Sequence, residues 1–92
     1  MADDDVRRHV TIHGDVQGVF FRETTRRKAT EAGVSGWISN RSNGTVEAVF
    51  EGPAEAVDEL VDFSREGPTA ATVERIDVRE ESPEGMSGFE IR

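Results

Sequence analysis

The sequence lacks cysteine and long apolar runs, and both absences narrow what the protein can be. With no cysteine among its 92 residues, it can form no disulfide and has no thiol to act as a nucleophile or a metal ligand. It has no stretch of about 18 apolar residues, so we expect no membrane span. The acidic N-terminus has no apolar segment behind it, unlike a secretory signal. We therefore expect a cytoplasmic protein with one domain at residues 6–92, preceded by a disordered acidic tip at residues 1–5.

Lysine is nearly absent as well, and the overall charge is strongly negative. Lys28 is the single lysine, and 19 acidic against 11 basic residues give a formal charge of −8. Such a charge repels nucleic acids and anionic membranes, so we expect neither as a partner. One short segment reverses this balance, because Arg22, Arg26, Arg27 and Lys28 stand there against Glu23 alone.

The periodicity of the apolar residues predicts an α+β domain. Alternation predicts strands at residues 6–13, 34–41, 45–51 and 72–80. Helical spacing predicts helices at residues 21–33 and 54–65, the first ending near Gly33. The segment from Phe89 to Arg92 can add a short fifth strand. The order βαββαβ is best satisfied by two helices packed on one face of a mostly antiparallel sheet.

The other face of this sheet is expected to be polar and exposed to water. We expect Glu47 and Glu51 to face solvent, and His9 and His13 to face solvent or pack on the sheet rather than act in catalysis. The two histidines lie about 13 Å apart in a strand that rises about 3.3 Å per residue, so they cannot bind one ion together.

The motif richest in chemistry is Gly14-Asp15-Val16-Gln17-Gly18-Val19-Phe20-Phe21-Arg22. Two glycines bracket a loop between a predicted strand and a predicted helix, where backbone N–H groups and the helix N-terminus can bind an anion. Arg22 falls in the first helical turn, where the helix dipole disfavours a cation by about 0.3–1 kcal/mol. A bound anion would remove that conflict. On spacing alone, a phosphate-binding arginine and a plain surface arginine fit equally well.

These residues resemble the signature loop of the acylphosphatase family. The segment Gly36-Trp37-Ile38-Ser39-Asn40-Arg41-Ser42-Asn43-Gly44-Thr45-Val46 resembles the second signature of that family, and the ending Phe89-x-Ile91-Arg92 is also typical of it. The resemblance covers nearly the whole domain. It implies a ferredoxin-like α/β sandwich that hydrolyses small-molecule acyl phosphates to a carboxylate and inorganic phosphate, without a metal or another cofactor.

The resemblance also implies roles for individual residues. Arg22 would bind the phosphate, and Asn40 would position the attacking water. The backbone N–H groups of the loop would stabilise the phosphate oxygens, and free phosphate or sulfate would bind there as product or mimic. The N–H groups in question belong to Val16, Gln17, Gly18, Val19 and Phe20.

Asp15 departs from the family pattern, because many members carry a basic residue at this loop position. A carboxylate at the rim of an anion site should weaken substrate capture at low salt. Arg41, next to Asn40, could compensate for this charge.

Two other functions compete with the enzyme. One is a non-catalytic domain that holds a phosphorylated ligand or partner; the end of the chain near the domain boundary favours a free-standing enzyme instead, which we expect to be a monomer. The other is an RNA-binding domain, which the negative charge and the missing aromatic RNP pattern disfavour.

The acid excess leads to a first prediction, on the effect of salt. In a high-salt cytoplasm, acidic side chains would keep the protein hydrated, and at 1 M salt the Debye length of about 3 Å screens their repulsion. We expect the urea midpoint of unfolding to rise steeply between dilute and molar KCl. A flat response would indicate an ordinary acidic protein instead.

Overall fold

The predicted order of elements is confirmed, with the short fifth strand present. The computed structural model describes residues 5–92, so residues 1–4 of the predicted acidic tip lie outside it; Asp5 is the first residue of β1. The elements are β1 (Asp5–Asp15), α1 (Phe21–Ala32), β2 (Ser35–Asn40), β3 (Val46–Pro53), α2 (Ala54–Glu66), β4 (Thr72–Glu81) and β5 (Phe89–Ile91).

The five strands form one mixed sheet in the order β4-β1-β3-β2-β5. Strand β1 is antiparallel to both β3 and β4, and β2 is antiparallel to β3. The sheet is mostly antiparallel, as expected, and the exception is β5, which pairs parallel to β2. The chain leaves the edge strand β4, crosses one end of the sheet in residues 82–88 and enters β5 at the opposite edge. Strands β1, β2 and β5 therefore run in the same direction, and their C-terminal ends lie at the same end of the sheet.

The hydrophobic core lies between the sheet and the two helices. Helix α1 packs against β2 and β5, and α2 packs against β1, β3 and β4. The apolar residues that alternate along β3, Val46, Ala48 and Phe50, are fully buried. The buried helical residues are Phe21, Thr25 and Ala29 in α1, and Val57, Leu60, Val61 and Ser64 in α2.

The prediction that Glu51 faces water is wrong. Its side chain is only 3% exposed. One carboxylate oxygen accepts from the Arg7 guanidinium at 3.1 Å. The carboxylate also accepts three backbone N–H bonds, from Glu84 at 2.9 Å, Gly85 at 2.7 Å and Met86 at 2.9 Å. Glu51 thus anchors the crossing segment, residues 82–88, to the end of β3.

The ionic cluster around this anchor extends across the start of β1. Arg7 donates to Glu81 at 2.9 Å, and the Nδ1 of His9 lies 2.9 Å from the other Glu81 oxygen. His9 also contacts Glu47 and meets the Trp37 ring edge-on, so it packs on the sheet as predicted. Burial by itself would raise the pKa of Glu51, but the backbone N–H groups and Arg7 together hold this pKa below its usual range. The hydrogen bond from Arg7, followed by that from His9, lowers the pKa of Glu81 from 4.5 to about 2.

A second prediction concerns the stability of this cluster at acid pH. A carboxyl whose pKa is depressed in the folded state stabilises the fold above its unfolded pKa, and this contribution is lost as pH falls toward the folded pKa. We therefore expect Glu81→Gln to lower the urea midpoint at pH 7, and the two proteins to converge between pH 4.5 and about 2. Glu80→Gln, at the exposed neighbouring position on β4, is the matched control. A midpoint that changes equally in both variants would contradict the role of Glu81.

Candidate active site

The C-terminal ends of the three strands β1, β2 and β5 lie at one end of the sheet, where they form a cleft. Strand β1 ends at Asp15, within the glycine motif, β2 ends at Asn40, and β5 ends at Ile91. The cleft has a volume of about 340 Å³. Both Arg22 and Asn40 line it, although they lie 18 residues apart in the sequence. The topology therefore brings together the two residues that the resemblance implies are catalytic.

The loop between β1 and α1 begins at a bulge that requires glycine. Gly14 has a φ of +134°, and a Cβ there would lie 2.2 Å from the carbonyl oxygen of Thr72 on β4. The register of β1 against β4 shifts at this point. Val16 then inserts into the core with 1% of its surface exposed, and Gly18 turns the chain with a φ of +73°. The loop is thus fixed at both ends while its middle stays at the surface.

The N-terminus of α1 has no side-chain cap. Its N-cap residue is Phe20, which has no side-chain acceptor and adopts a left-handed conformation with a φ of 65°. Among the residues that the structure describes, the N–H groups of residues 17–20 donate to no backbone acceptor. Helix N-termini of this kind are anion-binding sites, because their free N–H groups and dipole both favour negative charge.

Arg22 adds a charge that is free to meet a ligand. It lies in the first turn of α1 and is half-buried. The neighbouring carboxylate of Glu23 pairs with Arg26 at 3.2 Å. Within residues 5–92, no carboxylate forms an ion pair with Arg22, so its guanidinium can bind an anion in two-pronged geometry.

Asn40 is held at the start of the turn between β2 and β3. The residues Asn43-Gly44, typical of a hairpin turn, lie in a closed turn: the Arg41 N–H donates to the Thr45 carbonyl at 2.9 Å, and the Gly44 N–H donates to the Arg41 carbonyl at 3.1 Å. The side-chain oxygen Oδ1 of Asn43 accepts from the N–H of Thr45 at 3.1 Å and from the Thr45 hydroxyl at 2.7 Å. This network makes the turn next to Asn40 well defined.

The side chain of Gln17 connects the loop to this turn. Its amide nitrogen donates to the carbonyls of Arg41 at 2.7 Å and Thr45 at 2.9 Å. For Gln17, the resemblance implies a role for the backbone N–H group alone. No local pattern reveals the side-chain contacts, because the partners lie 24 and 28 residues away.

Several charged residues named in the sequence analysis lie outside the cleft. Asp15 is exposed at the end of β1 and does not line the cleft. Arg41 pairs with Glu47 at 3.2 Å on the face of the sheet away from the helices. His13 pairs with Asp77 at 2.9 Å, and His9 is part of the Glu81 cluster.

Residues 5–92 contain neither a cluster that could hold a metal ion nor a helix that could span a membrane. This part of the chain has no group of three or more acidic or histidine side chains arranged to hold a metal ion. None of its helices is long and apolar enough to cross a membrane.

Comparison with known proteins identifies the family. The acylphosphatase family model matches residues 8–91. An acylphosphatase of Haloarcula marismortui is 50% identical over 94% of both chains. One from Haloquadratum walsbyi is 48% identical over 100% of this chain and 99% of the relative. Among solved structures, an acylphosphatase from Coxiella burnetii superimposes with a TM-score of 0.92 at 40% identity, covering 97% of this chain and 94% of that one. With matches of this extent in sequence and in structure, the chain belongs to the acylphosphatase family.

Proposed function

We propose that this protein is an enzyme that hydrolyses acyl phosphates by direct attack of water on phosphorus. The observation that carries the proposal is the shared cleft, in which an unpaired arginine and an uncapped helix N-terminus face Asn40. The loop N–H groups and Arg22 would hold the phosphate and stabilise the charge that its oxygens carry in the transition state. This arrangement suits a reaction that needs positioning and charge stabilisation more than acid–base assistance.

Asn40 would position the water molecule that attacks the phosphorus. Its side-chain carbonyl can accept a hydrogen bond from the water, while its amide group can donate to a phosphate oxygen. The two contacts would place the water on the phosphorus rather than on the carbonyl carbon. Because neither His9 nor His13 lines the cleft, no histidine base takes part in this scheme.

The atoms balance without a further reactant. The water oxygen forms a bond to phosphorus as the bond between phosphorus and the carboxylate oxygen breaks. One water proton stays on the attacking oxygen and the other passes to a phosphate oxygen, so a carboxylate and dihydrogen phosphate are released. The carboxylate is weakly basic and leaves without a proton.

Three further properties of the enzyme concern its oligomeric state, the salt content of its surroundings and the binding of free anions. We propose a monomer in a salt-rich cytoplasm, which binds free phosphate or sulfate in the same loop as the substrate. The excess of eight negative charges supports the salt-rich setting. Two of its relatives come from the halophilic archaea Haloarcula and Haloquadratum, which gives further support.

The third prediction tests the two residues directly. We expect Arg22→Ala and Asn40→Ala each to lower kcat/KM for benzoyl phosphate by at least about 100-fold, the usual effect of losing a transition-state donor. Arg22→Lys should recover only part of the activity, because a point charge replaces the two-pronged donor. Arg27→Ala, exposed on the same helix, and Ser42→Ala, exposed in the turn, are the matched controls.

Measurement of phosphate binding by calorimetry separates this enzyme from a binding domain. Wild-type protein that binds phosphate but releases none from benzoyl phosphate would favour the binding domain. Full activity in either alanine variant, with folding intact by circular dichroism, would contradict the assigned role.

The fourth prediction concerns Gln17 as a positioning residue. Gln17→Met keeps the length of the side chain and removes both hydrogen bonds to the turn, at a cost of about 1 kcal/mol of stability for each. We expect kcat to fall about tenfold, because Asn40 would no longer be held at a fixed distance from the loop. In the Asn40→Ala background the same substitution should lower kcat much less, while its effect on the urea midpoint stays the same. Equal effects on kcat in both backgrounds would show that Gln17 acts independently of Asn40.

A further inference from the structure

Phe20 combines an unfavourable backbone conformation with an unfavourable environment. Its φ of 65° is the only positive value at a residue other than glycine within residues 5–92. Its side chain is 76% exposed, whereas Val78, the other large exposed apolar residue of this range, is 40% exposed. Phe20 also occupies an N-cap position, where Ser, Thr, Asp or Asn would cap the helix. Glycine or asparagine would adopt this backbone with less strain.

Strain of this kind at the mouth of a cleft indicates a function for the side chain. The backbone N–H of Phe20 can serve the phosphate whatever the side chain is, so phosphate binding does not account for the ring. The apolar surface must therefore serve another part of the ligand.

The lining of the cleft separates into a polar and an apolar part. Arg22 and Asn40 provide the polar groups suited to phosphate and water. Phe20 and the half-buried Ile91, at the end of β5, offer apolar surface to the same space. A volume of about 340 Å³ is at the lower end for small-molecule sites and leaves room beside a phosphate for an acyl group.

The charge of the site narrows the choice of acyl group. The carboxylate lining the cleft belongs to Glu23, and the protein as a whole carries −8. An acyl group with a second anionic substituent would meet both the Glu23 carboxylate, whose charge Arg26 partly offsets, and the apolar surface of Phe20 and Ile91. An acetyl group would cover little of the Phe20 ring, whereas an aromatic or branched acyl group can stack on it.

We propose that Phe20 and Ile91 form a subsite for the acyl group, and that the enzyme prefers acyl phosphates whose acyl group is uncharged and apolar, above all aromatic. This inference rests on the proposed function, because it concerns the other half of the same substrate.

The fifth prediction tests the subsite by comparing two substrates. The measured quantity is the ratio of kcat/KM for benzoyl phosphate to kcat/KM for acetyl phosphate. We expect Phe20→Asn, which suits the left-handed backbone but removes the ring, to lower this ratio about fivefold, the effect of losing one aromatic contact. Phe20→Tyr keeps the ring and should keep the ratio. Val78→Asn removes an exposed apolar side chain on β4 and should leave both activities unchanged.

The outcomes separate this inference from the function on which it rests. If wild-type protein hydrolyses neither substrate, the proposed function falls and the subsite with it. If wild-type protein hydrolyses both and Phe20→Asn leaves the ratio unchanged, the subsite alone is overturned. An equal loss for both substrates would also overturn it, since Phe20 would then shape the phosphate loop. Thermal unfolding checks that Phe20→Asn is folded; relief of the strain should keep its Tm at or above that of the wild type.

Discussion

The two hydrogen bonds donated by Gln17 join the phosphate loop directly to the β2–β3 turn. These two segments otherwise meet through strand β3, where Ile12 and Asn40 both pair with Val46. Strands β1 and β2 are not neighbours in the sheet, since β3 lies between them. The loop after β1 leads to Arg22, and the turn after β2 begins at Asn40. One side-chain amide spans this gap by using both of its protons, on the carbonyls of Arg41 and Thr45. The position of Asn40 relative to the phosphate loop thus depends on the pairing of β1 and β2 with β3 and on the direct bonds from Gln17.

Departures from ordinary helix chemistry are concentrated at this end of α1. Its start has an arginine in the first turn and an N-cap residue with no capping bond, while its other end follows the usual pattern: Gly33 adopts the left-handed conformation and its N–H donates to the carbonyls of the last turn. Helix α2 has Glu55 in its first turn and Arg65 in its last, as the helix dipole favours. A bound phosphate would satisfy the free N–H groups of α1 and pair with Arg22 at the same time, so one ligand resolves both departures.

The sequence was sufficient to predict the order of elements, because the apolar periodicity of each element is local. The strand-loop-helix motif and the Asn-Gly turn located Arg22 and Asn40 each at the end of its own element, but only the resemblance to the acylphosphatase family implied that they share a site. Alternation in β3 correctly assigned Glu51 to the face away from the helices, but it could not reveal that residues 82–88 cover that position. The parallel pairing of β5 and the side-chain bonds of Gln17 were missed for the same reason. Each depends on contacts between distant segments, which no local pattern records.

The crossing segment links the ionic anchor at one end of the sheet to the cleft at the other. Glu51 fixes residues 84–86, and the chain then enters β5, whose last residue, Ile91, lines the cleft. Most of the acidic residues are exposed, and their mutual repulsion is strongly reduced by salt. The pair formed by Arg7 and Glu51 is buried, with 7% and 3% of the side chains exposed, and buried pairs are screened much less. Removing Glu51 would leave the backbone N–H groups of residues 84–86 without their carboxylate acceptor, so the anchor is held by a strong local requirement. The position of Ile91 should therefore depend little on the salt concentration, even though the repulsion among the exposed acidic side chains depends on the salt concentration strongly.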